Sequence, residues 1–466
     1  NEAVYYEKWL TGDWDYSTNK GENHMKNKKY VLLTAIMAIL LSLPILCSTT
    51  AAKKTDTKTD NTTQQQTAVS EPAGYFKDSG NLNKLTNMIN IIQQKFVGKK
   101  NPTKQELYEY AMTGLVNGLD DPYSEYLTKK DLESFTEDLD GEYVGVGMSI
   151  DKKKDAPLVV VSPFVGSPAA KAGMKIGDKV TKVDKTDIIP LNATETVNLL
   201  KGKQGTKVDV EVVREGVKNP FTVTIIRDTI KLEMVESKML PDQIGYVSLL
   251  KFGNHTGAEL KKHIEQLQAQ GMKGLILDLR SNPGGSLKEA QDISSLFLTQ
   301  DLVVYLKYKN GQETRYNRTM PSLGNFPLII LVNGGSASAS EIVTGAIKDY
   351  KRGTIIGQKT FGKGIVQEVI PLEGGDAIKL TVAQYFTPNG NYIHEKGIEP
   401  DIKVDMEEVL SIKGYANDSE EARENRMKEI RTYLEKEKGK EETDKIISAG
   451  DVQLKRATEE MEKKIK

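Results

Sequence analysis

Three serines carry hydroxyl groups at a predicted turn between a strand and a helix, namely Ser336, Ser338 and Ser340. An apolar strand pattern precedes them, and a helix-compatible run begins near Ala339. Such a turn exposes a nucleophilic side chain and directs the free N–H groups of the helix toward it. The same residues fit a capping box, in which Ser338 and Glu341 satisfy N–H groups at the helix start. This segment alone favours the cap, and a nucleophile is the alternative.

A serine nucleophile needs a base. The histidines are poor candidates, because each lies either in a surface-like stretch of sequence or in the leader. A neutral lysine can replace histidine, and Lys363 lies between Gly362 and Gly364, with Phe361 and Ile365 outside them. Lowering a lysine pKa by roughly three units corresponds to about 4 kcal/mol, which burial in an apolar pocket can supply. The four histidines are His24, His255, His263 and His394.

The elements that must position these residues follow from changes of pattern along the chain. Residues 75–140 show helical spacing of apolar side chains, and residues 141–230 form short apolar strands between glycine turns. Residues 231–405 alternate strands with helices, which is typical of an α/β core. Residues 406–466 are rich in Glu, Lys and Arg, which predicts solvated helices that form a surface or an oligomer contact, for example in a homodimer. The predicted fold class is a multidomain α/β protein with a mostly β module and helical ends.

The N-terminal part predicts export. Residues 25–52 have the layout of a secretory signal, with basic residues, the sixteen-residue apolar run Val31–Leu46 and then small residues. Cleavage after Thr50–Ala52 is favoured over an uncleaved membrane anchor, because a span needs about 20 apolar residues. The catalytic part is expected outside the cytoplasm, either secreted or tethered to the outer face of the membrane. Residues 1–24 are interpreted as an upstream extension without a fold, and the polar residues 53–74 as a flexible linker.

Composition excludes several classes of partner and cofactor. The chain has 64 Lys and Arg against 65 Asp and Glu, a net charge of -1. The chain has no excess of basic residues that would attract nucleic acid, so no nucleic-acid partner is expected. Cys47 is the one cysteine, so an intrachain disulfide and a cysteine metal cluster are excluded. No metal or organic cofactor is predicted.

Several separated motifs, in the same order, resemble those of the carboxyl-terminal processing proteases, also called tail-specific proteases. The resemblance extends from about Tyr75 to Asp405. It implies a serine endopeptidase core joined to a PDZ-like domain, acting on protein or peptide substrates that have free C-terminal tails. The motifs are LDDPYSEYL at 119–127, GLILDLRSNPGGS at 274–286, GSASASEI at 335–342, TFGKGIVQ at 360–367, and YFTPNG at 385–390 with GIEPD at 397–401.

The resemblance, carried over residue by residue, implies the catalytic groups. Ser338 is then the nucleophile and Lys363 the general base, while Gln367 matches the family's third catalytic residue, which orients the lysine. The backbone N–H groups of Gly284 and Ala339 are implied as the oxyanion hole. The implied reaction passes through an acyl-enzyme that water hydrolyses, without a metal or cofactor.

The mostly β module contains a loop that resembles the carboxylate-binding loop of PDZ domains, Gly145-Val146-Gly147-Met148. Residues Pro168–Gly173 and Ile176–Asp178 are similar to the helix and turn that follow in that family. The resemblance implies that backbone N–H groups of the loop bind a peptide carboxylate. An adjacent strand edge would let the substrate tail add as an extra strand.

Two other classes of function compete with the peptidase. A nucleotide-binding protein is suggested by Gly357–Lys363, which begins like a P-loop, but Gly364 stands where Ser or Thr should bind magnesium. A catalytically silent adaptor would use its PDZ-like module and core only to bind tails. The joint presence of Ser338, Lys363 and Gln367 favours the enzyme over the adaptor.

Overall fold

The computed structural model describes residues 79–98, 101–153, 155–411 and 420–466. The predicted extension, signal and linker, residues 1–74, lie outside the described residues. Within the described ranges, no helix is both long enough and apolar enough to span a bilayer. The described chain divides into two compact units, of which the larger contains Lys130–Val366 and Val382–Lys466.

The smaller unit contains the described residues up to Lys129, together with Gln367–Thr381. Its second helix begins with a capping box, because the Thr103 hydroxyl accepts from the Glu106 N–H at 3.2 Å and the Glu106 carboxylate accepts from the Thr103 N–H at 2.7 Å. Its short strand pairs antiparallel with residues 377–379. The elements are helices α1 (Ser79–Lys95) and α2 (Lys104–Asn117) and strand β1 (Glu125–Leu127).

In the larger unit, the first module is mostly β. Helix α3 (Lys129–Asp140) precedes β2 (Glu142–Gly145), β3 (Met148–Asp151), β4 (Leu158–Pro163), α4 (Pro168–Lys171), β5 (Lys179–Val183), β6 (Thr186–Asp187), α5 (Ala193–Leu200), β7 (Lys207–Val213), β8 (Phe221–Ile226) and β9 (Asp228–Lys231). Strand β7 is typical of the module, because Val208, Val210 and Val212 alternate with polar residues and are fully buried. The sheet has the order β3-β4-β5-β7-β8, with β6 on β5, while β2 pairs with β9.

The second module is an α/β core around a six-stranded sheet of order β10-β11-β12-β15-β16-β19. The first pair is antiparallel and the others are parallel. Strands β11, β12 and β15 are buried along their whole length, as parallel strands covered on both faces are. The elements are β10 (Val235–Leu240), β11 (Ile244–Leu249), α6 (Thr256–Ala269), β12 (Gly274–Asp278), α7 (Leu287–Ser295), β13 (Leu302–Tyr308), β14 (Glu313–Asn317), β15 (Leu328–Val332), α8 (Ala339–Asp349), β16 (Thr354–Gly357), β17 (Ile365–Pro371), β18 (Ala377–Phe386) and β19 (Ile402–Lys403). The parts of β17 and β18 that lie within Gln367–Thr381 belong to the smaller unit.

The charged C-terminal segment forms three helices, α9 (Glu420–Lys438), α10 (Lys440–Ala449) and α11 (Val452–Ile465). Helix α11 differs from the solvated helix that its composition predicts. Its residues Ala457 and Met461 are fully buried and pack against one face of the core sheet. Helices α6, α7 and α8 contribute to the core on the other face. The predicted multidomain α/β class is confirmed.

Candidate active site

The predicted strand-to-helix turn is present, and it is strained at Ser338. The chain leaves β15 at Val332, and α8 begins at Ala339, so Ser338 is the residue at the helix N-terminus. Its φ of 54° and ψ of -113° lie in a region that non-glycine residues rarely adopt, at a cost of about 1–3 kcal/mol. The turn leaves Ser338 partly exposed, whereas Ala337 and Ala339 on either side are buried. This is the backbone geometry that presents a nucleophile.

The neighbouring serines have structural hydrogen bonds. The Ser336 hydroxyl donates to the Leu279 carbonyl oxygen at 2.8 Å, and the Ser340 hydroxyl donates to the Asn282 carbonyl oxygen at 2.9 Å. Both serines are fully buried. Ser338 is therefore the serine of the three that solvent and a substrate can reach.

Glu341 connects the serine turn to the lysine loop. Its Oε2 accepts from the Ser338 N–H at 3.0 Å and from the Lys363 N–H at 2.8 Å. Its Oε1 accepts from the Gly362 N–H at 2.7 Å and from the Thr360 hydroxyl at 2.5 Å. Burial raises the pKa of Glu341, and the four hydrogen bonds oppose this shift only in part. One carboxylate oxygen thus bridges the backbone of the predicted nucleophile and that of the predicted base.

Glu341 also takes part in the helix cap that the sequence suggested. Glu341 does accept from the N–H of the cap residue, which is half of a capping box. The Glu341 N–H bonds to the Ser338 carbonyl oxygen at 2.8 Å. Sequence reasoning assigned Glu341 only to the helix start and missed its bonds to Lys363. The signal that the sequence offered was an acidic residue one helical turn after the candidate nucleophile.

Lys363 is partly buried in a loop that its flanking glycines allow to pack closely. A Cβ on Gly362, whose φ is +92°, would lie 2.8 Å from the Gly397 nitrogen, and one on Gly364 would lie 2.6 Å from the His394 nitrogen. Tyr385 joins this loop to the serine turn, because its N–H donates to the Gly364 carbonyl oxygen at 3.0 Å and its hydroxyl to the Ser338 carbonyl oxygen at 3.1 Å.

The continuation of this loop argues against a P-loop. The strand β17 begins two residues after Lys363, at Ile365. A P-loop needs a helix at that point, whose N-terminus binds phosphate. The nucleotide-binding alternative therefore lacks its structural context.

Gln367, the third predicted catalytic residue, belongs to the smaller unit. Its Nε2 donates to the Thr381 hydroxyl at 3.0 Å, across the β17–β18 pair. Its predicted action on Lys363 stays a prediction.

The predicted oxyanion residues lie side by side, but one amide is occupied. A Cβ on Gly284, whose φ is +100°, would lie 2.8 Å from Ser338 Cβ and 2.9 Å from the Ala339 nitrogen. Ala339 is the first residue of α8, where an N–H has no acceptor within its own helix. The Gly284 N–H, however, donates to Asn282 Oδ1 at 2.9 Å. The predicted oxyanion role of Gly284 thus requires Asn282 to release this amide, which the sequence did not foresee.

The predicted carboxylate loop joins β2 to β3. The Val146 carbonyl oxygen accepts from the Ala169 N–H at 2.8 Å, which anchors the loop to the start of α4. Gly147 has a φ of +73°, and a Cβ there would lie 2.6 Å from Ser167 Cβ, so glycine is required. Among the described strands, β3 pairs with β4 alone, which leaves the strand that starts at Met148 as an edge of its sheet. Gly145, at the end of β2, pairs with Asp228 of β9.

Within the described ranges, no group of three or more His, Cys, Asp or Glu is arranged to hold a metal ion. His394 lies beside the lysine loop, because its Nδ1 accepts from the Gly364 N–H at 3.4 Å. It is therefore the histidine that an experiment must distinguish from Lys363 as a base.

Three family models match the chain: Peptidase family S41 over residues 243–404, the Activating protease CtpB N-terminal domain over residues 40–131, and the PDZ domain over residues 159–214.

Two bacterial relatives match over most of their length. The Carboxy-terminal processing protease CtpA of Bacillus subtilis (strain 168) is 35% identical over 82% of this chain and 78% of its own. A probable CtpA-like serine protease of Staphylococcus aureus (strain MRSA252) is 39% identical over 72% and 67%. The solved photosystem II D1 C-terminal processing protease aligns over 70% of this chain and 94% of its own, with 28% identity and a TM-score of 0.43. The chain belongs to peptidase family S41, and it is a serine-type C-terminal processing peptidase that contains a PDZ domain.

Proposed function

We propose that this protein is an exported endopeptidase that captures the C-terminal tails of protein substrates and cuts them by a Ser-Lys mechanism. The observation that carries the mechanism is the Glu341 carboxylate oxygen that bonds both the Ser338 and the Lys363 backbone N–H groups. It supports the pairing because it brings the partly exposed serine turn and the lysine loop to one buried group.

The reaction then follows from the groups on the two loops. Neutral Lys363 takes the proton of the Ser338 hydroxyl while Oγ adds to the substrate carbonyl carbon. The Ala339 N–H donates to the resulting oxyanion, and Gly284 joins it when Asn282 releases its amide. The lysine ammonium gives its proton to the leaving amine, and the peptide bond breaks. Water, deprotonated by Lys363, then hydrolyses the ester and restores Ser338. Gln367 is proposed to orient the lysine.

Single substitutions test the mechanism. Ser338→Ala and Lys363→Ala are each expected to abolish cleavage of an unfolded protein substrate, and the double variant should be no worse, because both groups act in one proton transfer. Ser336→Ala, at a buried hydroxyl, and His394→Gln, beside the lysine loop, should keep activity per folded molecule. Fragments are identified by mass spectrometry, and folding by circular dichroism. An inactive His394→Gln with an active Lys363→Ala would assign the base to histidine instead.

Tail capture is proposed for the loop of Gly145, Val146, Gly147 and Met148. The edge strand β3 and the glycine at φ +73° support it, because a tail can pair with the edge while its carboxylate reaches backbone N–H groups. Amidation of a substrate tail removes the charge-assisted bonds, so it should raise KM with little change in kcat. If a second, uncleavable peptide with a free carboxylate stimulates cleavage of the amidated one, the module activates the core as well. Equal cleavage of free and amidated peptides, without such stimulation, would reject carboxylate recognition.

Export is proposed from the sequence of residues 25–52. N-terminal sequencing of protein recovered from outside the cytoplasm should give a start near residue 53, whereas a start before Val31 in the membrane fraction would indicate a retained tether. The mass of the purified protein in solution tests the homodimer.

A further inference from the structure

Helix α11 lies beyond the part of the chain that matches the S41 peptidase model, which ends at residue 404. It is nevertheless packed into the core. Ala457 and Met461 are fully buried against apolar side chains of the sheet. A Cβ on Gly274, at the start of β12, would lie 2.3 Å from Met461 Sδ, so the helix contacts the sheet backbone closely.

The start of α11 is bonded to Arg280, which belongs to the 274–286 motif that also contains Gly284, one of the two predicted oxyanion residues. Arg280 Nη1 and Nη2 donate to the two carboxylate oxygens of Asp451, each at 2.7 Å. Nη1 also donates to Gln453 Oε1 at 3.2 Å. On its other side the guanidinium donates to Asp278, with its Nη2 at 2.6 Å from Oδ2. These four residues are called the Arg280 cluster below.

The Arg280 cluster is fixed on the helix side as well. Asp451 Oδ1 accepts from the Leu454 N–H at 2.9 Å, so Asp451 caps α11. Gln453 Nε2 donates to the Gln358 side-chain oxygen at 3.1 Å and to the Val404 carbonyl oxygen at 2.8 Å. The guanidinium has only 1% of its side-chain surface exposed. The Asp451 side chain is 35% exposed, so it closes the solvent side of this otherwise buried cluster.

The residues after Arg280 lead directly to the nucleophile. The Ser281–Gly285 loop follows β12 and packs on the serine turn. The Asn282 carbonyl oxygen accepts from the Ala337 N–H at 3.0 Å and from the Ser340 hydroxyl at 2.9 Å. Gly284 then passes so close to Ser338 that a methyl group would collide with Ser338 Cβ. A displacement of Arg280 is thus transmitted to the loop within a few residues.

We propose that Asp451 is a positioning residue, which acts through Arg280 to fix the Ser281–Gly285 loop against the Ser338 turn. It completes the active site from a helix outside the matched peptidase region. The inference rests on the proposed Ser-Lys function, because it assigns the loop to stabilisation of the oxyanion. Loss of this contact affects the transition state more than the bound substrate, because the oxyanion exists only after Ser338 attacks.

Asp451→Ser in the full chain is the sharpest test. Serine keeps an oxygen that can cap α11, but it removes the carboxylate from Arg280. We expect kcat to fall about 10- to 100-fold while KM changes less than about twofold, since misplacement of catalytic groups by about 1 Å has effects of this size. A peptide aldehyde, which Ser338 converts to a tetrahedral hemiacetal, should lose affinity by the same factor. Asp451→Glu should restore part of kcat.

Asp444→Ser is the matched control. Asp444 lies on the neighbouring helix α10, and its carboxylate pairs with Arg431, whose side chain is 40% exposed. This variant should leave kcat and aldehyde affinity unchanged. If Asp451→Ser does not fold, Asp451→Asn replaces it, because it keeps the shape and one acceptor, with an expected loss of kcat of about 10-fold.

The outcomes separate the inference from the proposed function. Wild-type activity that survives Ser338→Ala would overturn the function and the inference with it. An enzyme that is killed by Ser338→Ala but unaffected, per folded molecule, by Asp451→Ser would overturn the inference alone. A fall in kcat without any loss of aldehyde affinity would also overturn it, because the loop would then not contribute to the oxyanion site.

Discussion

Two buried ion pairs in the larger unit each join a basic side chain to a carboxylate, but the pKa of the basic group shifts in opposite directions in the two pairs. One is the Arg280 cluster beneath the serine turn, in which the side chains of Arg280 and Asp278 are 1% and 0% exposed. The other joins Lys201, at the end of α5, to Glu137 of α3, with Nζ 2.9 Å from Oε2 and side-chain exposures of 4% and 16%. Burial of this degree removes most of the hydration of either cation.

Burial determines the direction of the pKa shift of Lys201, but it does not determine that of Arg280. Desolvation lowers the pKa of Lys201 to about 8. The hydrogen bond and the attraction of Glu137 raise this pKa, but by less than desolvation lowers it. Burial also raises the pKa of Glu137, so both partners indicate that the charged pair is unfavourable. Desolvation alone would lower the pKa of Arg280 too, but attraction to Asp278 and the hydrogen bonds that Arg280 donates to Asp451 and Asp278 outweigh it and raise the pKa. The difference lies in the number of partners.

Side-chain geometry explains the numbers of partners. A planar guanidinium can donate to two carboxylates in bidentate fashion, whereas an ammonium acts as a point charge. Lys201 receives one carboxylate and a cation–π contact, with Nζ 4.6 Å from the centre of the Tyr143 ring. The Arg280 cluster is therefore permanently charged, and the Lys201 pair is the one that titrates near neutral pH.

Arg280→Met should give the largest effect, because it leaves Asp278 and Asp451 without their cation. We expect the free energy of unfolding to fall by about 3–5 kcal/mol, as measured by urea denaturation. Arg431→Met, at an exposed pair, is the control, and its effect should be below about 1 kcal/mol. A loss at Arg280 no larger than that at Arg431 would remove the distinction between buried and exposed clusters.

Lys201→Met should cost less, about 1–2 kcal/mol, because the Glu137 side chain is 16% exposed and water can partly hydrate its carboxylate. The double variant Lys201→Met with Glu137→Leu should recover to the wild-type value or above it, since apolar side chains avoid the desolvation penalty. Urea denaturation of the three proteins at pH 7 measures both differences. A double variant less stable than Lys201→Met would mean that the pair stabilises the fold.

The sequence was most informative where local pattern and local chemistry coincide. The turn before Ala339 was recognised because strand, glycine and helix signals lie within a few residues of each other, and Lys363 was singled out by the glycines on either side of it. Glu341 was seen only as a capping residue, since its bonds to Gly362 and Lys363 cross about twenty residues of chain.

Helix α11 shows a second limit of sequence reasoning. Its composition is charged, but Leu454, Ala457, Met461 and Ile465 recur at helical spacing and pack on the sheet. The partner of its first turn, Arg280, lies 171 residues earlier than Asp451. No periodic pattern encodes this polar contact, and the high content of charged residues outweighed the apolar spacing, so a helix that packs on the sheet was predicted as a solvated one.

The smallest expected effect is a pH dependence of stability that belongs to Lys201 alone. In the folded state Lys201 releases its proton near pH 8, whereas in the unfolded state it does so near its ordinary value of 10.5. Between these values the unfolded chain binds more protons, so the free energy of unfolding rises with pH, and below pH 8 this contribution is absent. From pH 7.5 to 9 the gain should be about 1 kcal/mol.

Other groups titrate in this range, so the measured quantity is the pH slope of the wild type minus that of Lys201→Met, from urea denaturation at each pH. Lys201→Arg offers a matched control, because a guanidinium stays protonated throughout this range and should also lack the slope. Parallel slopes in the wild type and both variants would show that Lys201 remains charged up to pH 9, and the two buried pairs would then be electrostatically alike.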